Sequence, residues 1–117
     1  MDPLTAKQCE ELRQLLVALR EELQGLLQRS EAGAKPVDLD QPIGRLSRMD
    51  AMQQQSMVQA NRRAAQQRIG QVELALRRLA EAEYGICTQC EENIGFARLT
   101  ARPEATVCIA CLKQSET

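Results

Sequence analysis

The sequence predicts a mainly α protein: a long antiparallel helical hairpin, packed as a coiled coil, with a small four-cysteine module at its C-terminal end. Three observations carry this. Leucines recur at heptad spacing near the start, a second long helical stretch follows a Pro/Gly-containing break, and four of the five cysteines crowd into residues 87–111. At 117 residues the chain has room for one domain, or one small module with an elongated appendage. Its only aromatics are Tyr84 and Phe96, so packing of leucine seams with an added staple is expected in place of a large aromatic core.

Cys9, Leu12, Leu16, Leu19, Leu23 and Leu26 follow spacings of 3 and 4 in alternation, a heptad seam that Leu15 and Leu27 widen. Asp2 or Thr5 suits a cap, and Pro3 suits a first helical position. The helix is expected to fade near Ser30, because "EAGAKPVDLDQP" holds Gly33, Pro36 and Pro42. A second helix is expected from Ile43 to Glu83, roughly 40 residues and ~60 Å long. Ile69, Val72, Leu76 and Leu79 form its seam near one end, and Leu46, Met49, Met52 and Met57 mark the other. Between them Ala60, Ala64 and Ala65 offer small packing positions, and Gly85 reads as the C-terminal cap. Folded back as a hairpin, Glu10 and Glu11 would lie near Arg62 and Arg63. The expected organisation is a coiled-coil hairpin over residues 1–83, with its tip loop near 32–45, and a four-cysteine module over 84–117.

Charge and targeting signals narrow the classes. Net charge is −1, against nonspecific nucleic-acid binding. Residues 43–80 carry seven arginines against Asp50 and Glu73, a local balance of +5, while residues 81–117 have a balance of −3. The N-terminus lacks the pattern of a secretory signal, and no apolar run reaches membrane-spanning length. A cytoplasmic location follows as an expectation, and there structural disulfides are rare.

The cysteines read Cys87-x2-Cys90-x17-Cys108-x2-Cys111. Two-residue gaps let both thiolates of a pair reach one ion from a tight knuckle, and the long gap brings the second pair round to complete a tetrahedron. A disulfide clamp, a thiol redox centre and an iron–sulfur cluster compete with this reading. Redox Cys-x-x-Cys usually occurs as one pair in a βαβ context, and paired x2 spacing split by a long loop favours zinc over iron. One structural Zn²⁺ held by Cys87, Cys90, Cys108 and Cys111 is therefore expected. Four thiolates leave no open position for substrate or water, and the chain has no histidine to move protons, so no catalytic residue and no enzymatic activity are expected. Cys9 lies on the leucine seam and reads as a packing residue.

The stretch "YGICTQCEENIGFARLTARPEATVCIACL" resembles the DksA/TraR proteins, bacterial regulators of RNA polymerase. Tyr84-Gly85, Ile94-Gly95, Arg98-Leu99, Ala101-Arg102-Pro103 and Cys108-Ile109 carry the resemblance, together with the four cysteines. It is sharp over residues 84–111, and the helices agree in kind. The resemblance implies direct RNA polymerase binding, with the coiled-coil tip entering the secondary channel to modulate initiation. It also implies acidic tip residues acting near the catalytic magnesium, and joint action with guanosine tetraphosphate.

Two departures stand out. The family's Asp-x-x-Asp-x-Ala tip motif falls at Gly44 to Met49, with no Asp at either acidic position. Asp38 and Asp40 are the nearest acids before it, followed as candidate tip contacts by Arg45, Ser47, Arg48 and Asp50. Basic positions associated with the nucleotide fall at Gln71 and Leu112, while Arg98 and Arg102 persist. The leading expectation is a monomeric transcription regulator that binds polymerase without reading DNA sequence and without touching a membrane. The alternatives are a zinc-dependent nucleic-acid-binding protein, which the scarcity of aromatics opposes, and a structural coiled-coil adaptor.

Overall fold

Thr5 starts the first helix. Its hydroxyl accepts the Gln8 backbone N–H at 3.1 Å, and the Gln8 side-chain oxygen accepts the Thr5 N–H at 3.0 Å. This reciprocal capping box satisfies amides that have no partner inside the helix. Helix α1 then runs Ala6–Arg29. Pro3 therefore stands before the helix and not in its first position, because the residues able to satisfy each other's amides are Thr5 and Gln8. The structure, a computed structural model, describes residues 2–31 and 45–116, without the side chains of 45–47 and 116.

Helix α2 spans Arg45–Ala80 and is followed by two short helices, α3 (Phe96–Ala101) and α4 (Ile109–Glu116). α2 ends in a Schellman turn: Glu83 N–H donates to Arg78 O at 2.8 Å and Ala82 N–H to Leu79 O at 3.3 Å. The residue that takes the left-handed conformation is Ala82, with φ 59°. The expected cap at Gly85 is thus displaced by three residues, and the helix stops at Ala80 because turn amides take its last carbonyls. Gly85 serves elsewhere. Its φ is 90°, and a Cβ there would lie 2.8 Å from Leu4 Cδ1.

α1 and α2 pack antiparallel. Leu12, Leu16 and Leu23 are buried, with Leu19 and Leu27 half-buried, whereas Leu15 is 41% and Leu26 38% exposed. The expected seam therefore holds at its start and departs at Leu26. A straight helix drifts by ~20° per heptad, so after two heptads the packed line passes from Leu26 towards Leu27. On α2, Ala65, Val72 and Ala75 are buried beside Ile69, Leu76 and Leu79. Ala60 and Ala64 are exposed, contrary to expectation, because they fall off the 3–4 line through Val58, Arg62, Ala65 and Ile69.

The register is set by Arg62, whose guanidinium donates to Leu27 O and, at 2.8 Å, to Ser30 Oγ. The last turn of α1 is level with Arg62, and residues 45–61 reach about 25 Å past it. The expected approach of Glu10 and Glu11 to Arg62 and Arg63 does not form. Glu10 instead pairs with Arg13 at 2.6 Å on its own helix. α1 is the shorter partner, so every level in the hairpin shifts towards the C-terminal half of α2. The molecule measures 61 Å along its longest axis. Among the described residues no helix is long and apolar enough to cross a membrane.

Candidate metal centre

The chain leaving α2 turns at once into the first cysteine pair. Ile86 and Asn93 form an antiparallel bridge, and Ile94 N–H donates to Gly85 O at 2.9 Å. Inside that loop Cys87 N–H donates to Glu92 O at 2.8 Å, and Glu91 N–H to Cys87 O at 3.0 Å. Glu91, with φ 63°, makes the left-handed step that closes the knuckle. Gln89 N–H points at Cys87 Sγ, 3.4 Å away.

The second pair uses a helix start. Cys108 immediately precedes α4, so one helical turn carries Cys111 back alongside it, with Cys111 N–H donating to Cys108 Sγ at 3.4 Å. A bond from Thr88 N–H to Thr106 O, 2.9 Å, ties the two knuckles together. All four sulfurs lie within 4.8 Å of one another, and Cys90 Sγ is 3.8 Å from Cys108 Sγ. A tetrahedron with Zn–S bonds of about 2.3 Å has edges of ~3.8 Å. The donor set fits a zinc ion. It also leaves no ligand position free.

Electrostatics inside the cluster point the same way. Burial opposes ionisation of Cys87, but backbone N–H groups at Cys90, Cys108 and Gln89 outweigh it and hold that thiol at about 6. Cys111 is pushed up to about 12, first by its hydrogen bond with the Cys108 thiol and then by burial. One thiolate suppresses the next at this spacing. Cys87, Cys90, Cys108 and Cys111 would hold a divalent cation at the centre, whose charge would remove that conflict and favour the thiolate form of all four.

The other expected site residues fall in two places. Arg48 and Asp50 are exposed on the first turns of α2, at the end of the hairpin far from the cysteines. Arg45 and Ser47 belong to the same turns, with side chains outside the description, and Asp38 and Asp40 lie outside the described residues. Arg98 and Arg102 line a cavity of about 220 Å³ with Gln71, Glu104, Thr106 and Leu112.

Glu104 is the residue that sequence reasoning missed. It is 2% exposed, and its Oε1 accepts from Arg68 Nε at 2.8 Å and Arg102 Nε at 3.1 Å. Its Oε2 and the Arg98 Nε are buried with no hydrogen-bond partner among the described residues. No local signal separates this glutamate from the chain's exposed ones, because its burial depends on α2 passing over it.

Comparison with known proteins agrees with this geometry. The family described as "Prokaryotic dksA/traR C4-type zinc finger" matches residues 82–116. A protein named RNA polymerase-binding transcription factor DksA from Buchnera aphidicola (from Acyrthosiphon pisum) is 38% identical over 56 residues, 48% of this chain and 37% of that one. Its namesake in Escherichia coli K12 is 27% identical over 111 residues, 93% of this chain and 72% of that one. The chain thus spans well under two thirds of the Buchnera relative and somewhat more of the E. coli one. The structure of transcription factor DksA2 from Pseudomonas aeruginosa superposes with a TM-score of 0.77 at 29% identity, covering 95% of this chain and 84% of that one. An RNA polymerase binding protein and transcriptional regulator from Chlamydia trachomatis, 21% identical with a TM-score of 0.58 over 97% of this chain and 93% of that one, shares the fold. The matched zinc finger and the clustered cysteines together make this a site for one structural zinc.

Proposed function

We propose that this chain, which belongs to the DksA/TraR family, regulates transcription in the bacterial cytoplasm by binding RNA polymerase directly, as a monomer and without enzymatic activity. Cys87, Cys90, Cys108 and Cys111 hold the zinc in a C-terminal module that begins near residue 84, while residues 1–83 supply the hairpin. The observation that carries the reading is the asymmetry of the hairpin. One end of α2 outruns α1 by about 25 Å, and the four-cysteine module occupies the opposite end. A narrow rod on a broad base can enter a channel and stop at a defined depth.

Under this reading the tip contributes Asp38 and Asp40, followed by Arg45, Ser47, Arg48 and Asp50. Carboxylates brought near a catalytic magnesium compete for its coordination sites, since that ion takes oxygen ligands. Guanosine tetraphosphate would meet Arg98 and Arg102, but Gln71 and Leu112 add no charge there and Glu104 already engages Arg102. A weak nucleotide response follows.

Purified protein should retain RNA polymerase in a pull-down. The double substitution Asp38→Asn, Asp40→Asn should keep that affinity while weakening the effect on initiation in a reconstituted transcription assay. A double variant as active as the unsubstituted protein would rule out the acidic-tip mechanism. Absence of polymerase binding would rule out the function itself.

A further inference from the structure

Leu12 and Leu16 stand one turn apart on α1, and each is 0% exposed. They belong to different cores. Leu16 packs with Leu23, Ala65, Val72 and Ala75, all from the hairpin, and half-buried Tyr84 touches both cores from the junction between them. Leu12 packs with Cys87, Ile94, Leu99 and Cys111, all from the cysteine module, and Leu4 joins it from the segment before α1. The two most buried cysteines of the cluster, Cys87 at 1% and Cys111 at 8% exposure, therefore share a hydrophobic core with a residue 75 and 99 positions upstream of them. Beyond its cysteines the module buries Ile94 and Leu99 in that core and sets half-buried Tyr84, Phe96, Ala105 and Val107 around them, so Leu12 and Leu4 are what the helix side adds.

We propose that Leu12, supported by Leu4, is a positioning residue of the zinc site: docking of the first turns of α1 and retention of the metal are one thermodynamic unit. The inference rests on the zinc assignment above. Binding events that favour the same folded arrangement strengthen each other reciprocally. Zinc closes the cysteine module and completes the surface that buries Leu12. Leu12 in turn closes the module against water and keeps Cys87 and Cys111 in place. The rest of α1 stands outside this unit, because its leucines bury against α2 whether or not metal is bound.

The test compares zinc release to a chromogenic chelator from the zinc-loaded full chain and from Leu12→Ala, Leu12→Met and Leu16→Ala. Leu12→Ala should release zinc about tenfold faster, within the range usual for coupled sites. The volume-conserving Leu12→Met should stay within about twofold of the unsubstituted chain. Leu16→Ala creates a comparable cavity, but it should leave zinc release unchanged within about twofold, because the hairpin core is present in both metal states. Equal acceleration by Leu12→Ala and Leu16→Ala, or none by Leu12→Ala, would overturn the proposal. Hydrogen exchange on the unsubstituted chain tests it without any variant. Stripping zinc should deprotect amides of residues 9–14 and spare those of 19–27, and uniform change or no change across α1 would refute the coupling. A chain that binds no zinc from the outset would instead overturn the zinc assignment.

Discussion

Ala82 occupies the left-handed position of the turn that ends α2, with φ 59°. An L-residue with a Cβ pays about 1–2 kcal/mol for that conformation, while glycine adopts it freely. Ala82→Gly removes this strain and leaves the bonds Glu83 N–H to Arg78 O and Ala82 N–H to Leu79 O in place, since both are main-chain. Against the gain stands the greater freedom of glycine in the unfolded chain, about 0.4–1 kcal/mol. The net is a stabilisation of about 0.5–1 kcal/mol. For a chain of this size it should raise Tm by about 2–5 °C, read from the helical circular dichroism of zinc-loaded protein. Ala64→Gly is the control. Ala64 is exposed inside α2, where the same exchange costs about 1 kcal/mol, so its Tm should fall by a similar amount. If Ala82→Gly lowers Tm as Ala64→Gly does, the turn is not under strain and the argument from φ fails.

Leu16→Asp places a charge among Leu23, Ala65, Val72 and Ala75, all apolar; a loss on the order of 4 kcal/mol should abolish much of the cooperative melt. Cys90→Ser should reduce bound zinc from one equivalent to none by elemental analysis, even though Cys90 is exposed, because metal binding and local folding are linked. Tyr84 is the chain's only tyrosine, and its hydroxyl donates to Pro103 O at 2.7 Å. Burial, followed by the nearby Cys9 and Glu104 charges, holds its pKa above the ordinary tyrosine value. A raised acid favours its neutral form, so this contribution to stability is complete below about pH 10 and is lost as pH rises further. Phenolate absorbance should therefore lag well behind that of a free tyrosine and appear together with alkaline unfolding; a titration with the ordinary midpoint in still-folded protein would contradict the burial.

Local spacing made much of this molecule legible in advance. The leucine repeat marked α1 and its buried line through Leu12, Leu16 and Leu23, because a helix returns the same face every three or four residues. The paired cysteines marked the metal centre for a similar reason: a two-residue gap is a geometric requirement that two thiolates meet by themselves. The cap was less legible. A glycine is the usual C-terminal stop, so Gly85 drew the expectation, yet the carbonyls of Arg78 and Leu79 are reached by a turn centred on Ala82.

What the sequence by itself determined was the existence of α1 and α2 and most of the buried line of α1, the four metal-binding positions expected from their spacing, and the resemblance they carry; the short helices α3 and α4 had no such reading. Tertiary structure alone decided the register, which rests on Arg62 meeting Leu27 and Ser30 across 35 and 32 residues. It also decided that Glu104 is buried between Arg68 and Arg102, and that Leu12 leaves its own seam for the core of the cysteine module. Periodicity is a property of one segment, and any segment with the right face can satisfy it. The level at which two helices meet, and the core that a given leucine enters, depend on free-energy differences between whole arrangements of distant segments. Those differences have no local signature, and they emerge only when α1, α2 and the cysteine loops compete for the same buried space.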